Sequence, residues 1–85
     1  MNLLAILSFL SMFGCHPTAA IVPADRTYYE DGVIYMADEK EHKYVHEAVH
    51  DCQYQKHGKA LTQEEHDARE RDAMKIELMW IGKDI

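Results

Sequence analysis

The chain opens on thirteen residues, MNLLAILSFLSMF, that hold no charged side chain and ten strongly apolar ones. A run of this length is short for a membrane-spanning helix and matches the apolar region of a secretory signal. Residues 16–26, HPTAAIVPADR, carry both prolines and show no periodicity, so they read as a tether. Two β-prone runs follow, TYYE and VIYM, on either side of Asp31-Gly32. That dipeptide suits the tight type I′ turn of a hairpin, because both its central residues take positive φ. From Asp38 onward the period lengthens. Val45, Ala48, Val49 and Cys52 recur at helical spacing and define a stripe that must be buried. Asp38 and Glu41 stand in a capping-box relation at the start of this helix, and Gly58 sits where a left-handed helix end belongs. Thr62 and Glu65 repeat the capping arrangement and open a second helix that runs to Ile81, with Gly82 ending it. Its apolar residues, from Ala73 to Ile81, crowd into the second half. The pattern predicts an α+β fold, a β-hairpin followed by two antiparallel helices and preceded by an N-terminal signal segment.

The point where the apolar run ends adds a possible anchor. Gly14-Cys15 after such a run resembles the lipobox of bacterial lipoproteins. The resemblance implies a signal peptide over residues 1–14 and lipidation of Cys15 as the mature N-terminus. Residues 15–26 are then the tether, and 27–85 form one small domain. Cleavage near Ala20, in TAAIVP, is the ordinary-secretion alternative, and an uncleaved anchor or an N-terminal core helix is a further one. With Cys15 lipidated, Cys52 is left alone as a small buried hydrophobe. The expected location is the cell envelope, with the membrane reached through a lipid anchor or the signal segment.

Charge narrows the partners. All the charged residues lie after position 24, and the net charge is −6. An acidic chain lacks the basic surface that phosphate binding needs, which argues against nucleic acid as a partner.

The first helix carries the candidate chemistry. His46 and His50 are four residues apart, so their imidazoles lie one above the other on a single face and can share one metal ion. Zinc favours neutral imidazole nitrogen, and two ligands on a rigid helix need little reorganisation. Glu47 is offset by about 100° around the helix, which suits a base acting on a water rather than a third ligand. HEAVH resembles the HExxH signature of zincin metallopeptidases. By position, that resemblance implies Zn²⁺ held by His46 and His50, with Glu47 as the general base that activates water against a peptide bond. Gln53 extends the motif to HExxHxxQ.

A catalytic zinc takes a third protein ligand and keeps an open position. In the gluzincin branch of the zincins that ligand is a glutamate on a following helix, and Glu70, in ERDA, matches it as E-x-x-A. Asp72 is the rival, since it shares a helical stripe with Ala68, Ile76 and Met79. The aspartate that gluzincins carry four residues after the ligand glutamate is replaced by Met74, so no outer partner for one histidine is assigned. His57 precedes Gly58 rather than following a glycine, so the metzincin pattern is not met.

Plainer roles cover the remaining residues. His42 joins His46 and His50 on one stripe, which a structural zinc or a solvated edge would also use. His57 and His66 read as surface residues, and Tyr28, Tyr29 and Tyr35 as hairpin packing. Trp80 and Met79 read as core, with a contact patch as the alternative. Two functions follow from this pattern. The first is a small exported zinc metallopeptidase of the gluzincin type, acting on a peptide or protein substrate. The second is a non-enzymatic envelope lipoprotein, of a size that phages or plasmids carry, acting by protein contacts with or without a structural metal.

Overall fold

The computed structural model describes residues 1–83, so the last two positions of the expected domain lie outside the described residues. Within it the chain forms α1 (Leu3–Ser11), β1 (Ala20–Pro23), β2 (Tyr28–Glu30), β3 (Val33–Met36), α2 (Glu41–His57) and α3 (Gln63–Gly82). The fold is a small α+β unit with a three-stranded sheet and three helices among the described residues.

The hairpin forms where its turn dipeptide lies. Asp31 and Gly32 have φ of 45° and 86°, the positive values that a two-residue primed turn requires. Register follows from the turn, pairing Tyr28 with Tyr35, Tyr29 with Ile34 and Glu30 with Val33 in antiparallel fashion. Directly opposed residues share a face. Tyr28 and Tyr35 therefore stack on the outer face, ring centroids 4.5 Å apart, while Tyr29 and Ile34 face α2. The segment read as a tether contributes β1, which pairs parallel to β3 and puts β3 in the centre of the order β1-β3-β2. Alternation is the signal of a half-buried strand, and β1 is exposed along its whole length, so no alternation marked it.

The expected helical stripe is the core. Val45, Ala48 and Val49 are buried with Ile34, Met36, Ala73 and Trp80, and Cys52 packs partly against them. The start of α2 differs from the capping-box expectation, since the helix begins at Glu41. Asp38 accepts from the Lys40 amide at 3.0 Å and pairs with Lys43 at 3.1 Å, while Glu41 accepts from the Asn2 amide at 2.6 Å. Both carboxylates thus serve other partners. The Lys40 amide and then the Lys43 ammonium hold the Asp38 carboxyl below its ordinary value. At the second helix Thr62 Oγ1 caps the Glu65 amide at 3.1 Å, and Glu65 reaches back to the Leu61 amide at 2.9 Å. That helix continues through Gly82.

Ile6 and Leu10 of α1 join the same core, and Phe9 meets Trp80 edge to face at 5.2 Å. Cys15, immediately after α1, is disulfide-bonded to Cys52 of α2. Sequence reading left Cys52 alone. The pair lies 37 positions apart, so local spacing carried no sign of it. A sulfur in a disulfide cannot carry a lipid thioether, so this pairing and lipidation of Cys15 are alternative states of one residue.

Asp51 binds these parts together, and nothing in the pattern marked it. Its carboxylate is 1 % exposed and accepts four hydrogen bonds. Donors are the amides of Thr18 (2.8 Å) and Ala19 (3.1 Å), the Tyr29 hydroxyl (2.7 Å) and the Gln55 amide (2.9 Å). Tyr29 in turn accepts from the Gly32 amide at 3.0 Å, so the hydroxyl links hairpin turn to helix. Burial, reinforced by the Asp51 carboxylate, pushes the Tyr29 phenol above its ordinary value.

Two stability measurements check this account. Asp51→Ala strands several buried donors and is expected to remove about 2–4 kcal/mol, seen as a fall of roughly 10–20 °C in thermal unfolding. Tyr29→Phe, which removes one donor, should lose about 1 kcal/mol. Cys52→Ser opens the disulfide loop and is expected to lose about 3–4 kcal/mol in denaturant unfolding, with reductant having no further effect on the variant.

Candidate metal centre

His46, Glu47 and His50 lie on α2 and Glu70 on α3, and the two helices pack antiparallel. The cross-helix contacts show the direction, since His42 meets Glu77 while Gln53 meets Arg69. Ala73 lies between Glu70 and Glu77, one turn from each, and is fully buried. A methyl side chain there lets α3 approach α2 closely enough for carboxylates on either side to reach the histidines.

Glu70 closes the cluster. Its Oε1 is 2.6 Å from His46 Nε2 and its Oε2 is 3.2 Å from His50 Nε2. The two Nε2 atoms are 3.3 Å apart. One donor atom from each of His46, His50 and Glu70 lies within 4.8 Å of the others, and this is the group of three able to hold a metal ion among the described residues. Asp72 is elsewhere. Two residues from Glu70 means about 200° around the helix, and Asp72 is exposed on a groove lined by Cys15, Cys52, Ile76 and Met79. His57 and His66 are exposed, and the second of these faces Asp67.

The ring nitrogens that point away from the cluster are all engaged. His46 Nδ1 meets Glu77 Oε1 at 2.8 Å, and His50 Nδ1 meets Gln53 Oε1 at 2.9 Å. Gln53 donates its amide nitrogen to the Arg69 carbonyl at 2.9 Å, which fixes its oxygen toward His50. Both partners are acceptors, so both imidazoles donate from Nδ1 and present Nε2 to the Glu70 carboxylate. Sequence reasoning missed these two roles, naming Gln53 only as a motif extension and assigning Glu77 no part behind the histidines. The signal was spacing: Glu77 is seven residues, two turns, past Glu70 and so lies on the same stripe. Gln53 is one turn past His50.

Glu47 sits beside the cluster, half-buried, and its side chain makes no hydrogen bond among the described residues. Burial raises its carboxyl above the ordinary value, with the Glu70 and Glu77 carboxylates adding to the shift and His46 opposing it. Burial also lowers the His50 imidazole, against the pull of Gln53 and Glu70. The cluster opens on a cleft of about 550 Å³. Residues Tyr28–Asp31 form one wall, α2 the floor, and Lys59, His66 and Arg69 the far rim.

No protein family, curated protein or solved structure matches this chain. The functional reading therefore rests on the site itself.

Glu70→Ala is expected to weaken divalent-metal binding by at least about 100-fold, exceeding the loss of an outer partner, whereas Asp72→Ala leaves it unchanged. Metal titration of the purified protein followed by competition with a chromophoric chelator distinguishes the two.

Proposed function

We propose that this protein is a zinc-dependent hydrolase of minimal, gluzincin-like form that acts on peptide bonds. The observation that carries the reading is the convergence of two imidazole Nε2 atoms and a carboxylate on one point. Such a group repels itself unless a cation or a proton stands between its members. His46 and His50 would supply two nitrogens and Glu70 one oxygen, all within 4.8 Å of one another. The donor set, two nitrogens and one oxygen, is the kind that leaves a catalytic zinc with an open position.

Bound there, zinc would supply Lewis acidity, lowering the pKa of water and polarising a carbonyl. The chain's own residues account for the rest. Glu47, beside the cluster and half-buried, would accept the proton of the attacking water and pass it to the leaving amine. Strand β2 is an edge of the sheet and borders the cleft, so an extended peptide laid along it would find backbone partners beside the cluster. Export is supported by two features, the uncharged apolar N-terminal run and the Cys15–Cys52 disulfide, which persists in oxidising compartments.

A second reading is favoured by a different observation. Leu4, Met12 and Leu78 are 78 %, 79 % and 63 % exposed, and with Leu7, Phe13 and Ile81 they leave α1 and the end of α3 with much uncovered apolar surface. Surface of that kind serves contacts with a partner or a membrane, as in a non-enzymatic envelope protein. Among the described residues no helix is long and apolar enough to cross a membrane.

Glu47→Gln separates the two. For the hydrolase, the variant retains one zinc per chain and loses peptide-cleaving activity by about 10²- to 10⁴-fold, measured on a fluorogenic peptide library. Wild-type protein that holds no zinc would sink the first reading.

A further inference from the structure

Glu77 does more than cap one histidine. Its Oε1 is 2.8 Å from His46 Nδ1, and its Oε2 is 2.7 Å from Nδ1 of His42, one turn earlier on α2. Both carboxylate oxygens are therefore committed to ring nitrogens of the same helical stripe. The competing cation is occupied elsewhere, since Lys43, next to His42, is paired with Asp38 at 3.1 Å. This group lines a separate hollow of about 310 Å³ on another side of α2, bounded by Thr27, His42, Lys43, His46, Glu47 and Glu77. His46 and Glu47 border both openings, and Glu77 borders the second alone.

We infer that Glu77 and His42 are positioning residues for the metal: His42 orients the Glu77 carboxylate, and Glu77 holds His46 in the Nδ1–H form with Nε2 aimed at the ion. The inference rests on the zinc reading of the His46–His50–Glu70 cluster. The physical ground is that a carboxylate hydrogen-bonded to the outer nitrogen of a ligating imidazole fixes its tautomer and makes the inner nitrogen a stronger donor. A single hydrogen bond would leave Glu77 free to swing. The second, from His42, removes that freedom. Two different outer partners then serve the two histidines: a charged carboxylate behind His46 and the neutral amide of Gln53 behind His50. His46 is accordingly the more strongly donating of the two ligands.

The test uses the full-length protein with zinc, and with cobalt as a spectroscopic substitute. Wild type is expected to bind one zinc per chain. Glu77→Gln is expected to weaken zinc by about 10- to 100-fold and to shift the visible absorption of the cobalt form. His42→Phe, which removes the donor, should weaken zinc by about three- to tenfold, while His42→Gln, which can still donate, stays within about twofold. Because His42 acts through Glu77, the double variant Glu77→Gln/His42→Phe should bind no more weakly than Glu77→Gln alone. Nitrogen NMR of the metal-free wild type should show the Nδ1–H form at His46, a reading that does not depend on any variant folding. Wild type without zinc overturns both the cluster reading and this inference. Wild type with zinc, together with an unchanged Glu77→Gln, an additive double variant or an Nε2–H His46, overturns this inference alone.

Discussion

One buried carboxylate sets the arrangement on which the rest depends. Asp51 gathers donors from the segment after α1, from the hairpin and from its own helix. A charge taken out of water is tolerated only when its lone pairs are filled, and four donors fill them. These bonds are short and directional, so they fix the rotation of α2 about its own axis as well as its distance from the sheet. Asp51 follows His50 directly. Holding it against residues 18, 19 and 29 therefore dictates where the faces bearing His46 and His50 must point.

With α2 rotated in this way, the apolar stripe of Val45, Ala48 and Val49 meets β3 and α3. The histidine stripe is left at the seam between α2 and α3. The seam is narrow because Ala73 is the residue that faces it, and carboxylates one turn to either side flank the methyl group. Glu70 reaches the inner nitrogens of His46 and His50, and Glu77 reaches the outer nitrogens of His46 and His42. The close helix approach and the concentration of acceptors at one place thus have a common origin.

Much of this was legible in the residues. The hairpin announced itself through Asp31-Gly32, because few dipeptides take positive φ twice in succession. The buried face of α2 could be read from its period, and the His46–His50 pair from the four-residue spacing. Other parts were not legible. Strand β1 has no alternation because it is an exposed edge. The Cys15–Cys52 bond joins residues far apart in sequence. Asp51 looked like one more charge on an acidic helix, since neither its composition nor its spacing says that backbone amides will come to it.

What the sequence by itself determined was local: turn type, helical period, and which side chains one helix stacks on one face. These depend on φ and ψ and on 3.6 residues per turn, which neighbouring residues specify. Only the tertiary structure brought Glu70 rather than Asp72 to the two histidines, and it alone placed Glu77 and Gln53 behind them. Those choices depend on how one helix is rotated against another. That rotation is set by distant contacts, the Asp51 hydrogen bonds and the Ala73 packing, which no local stretch of chain contains.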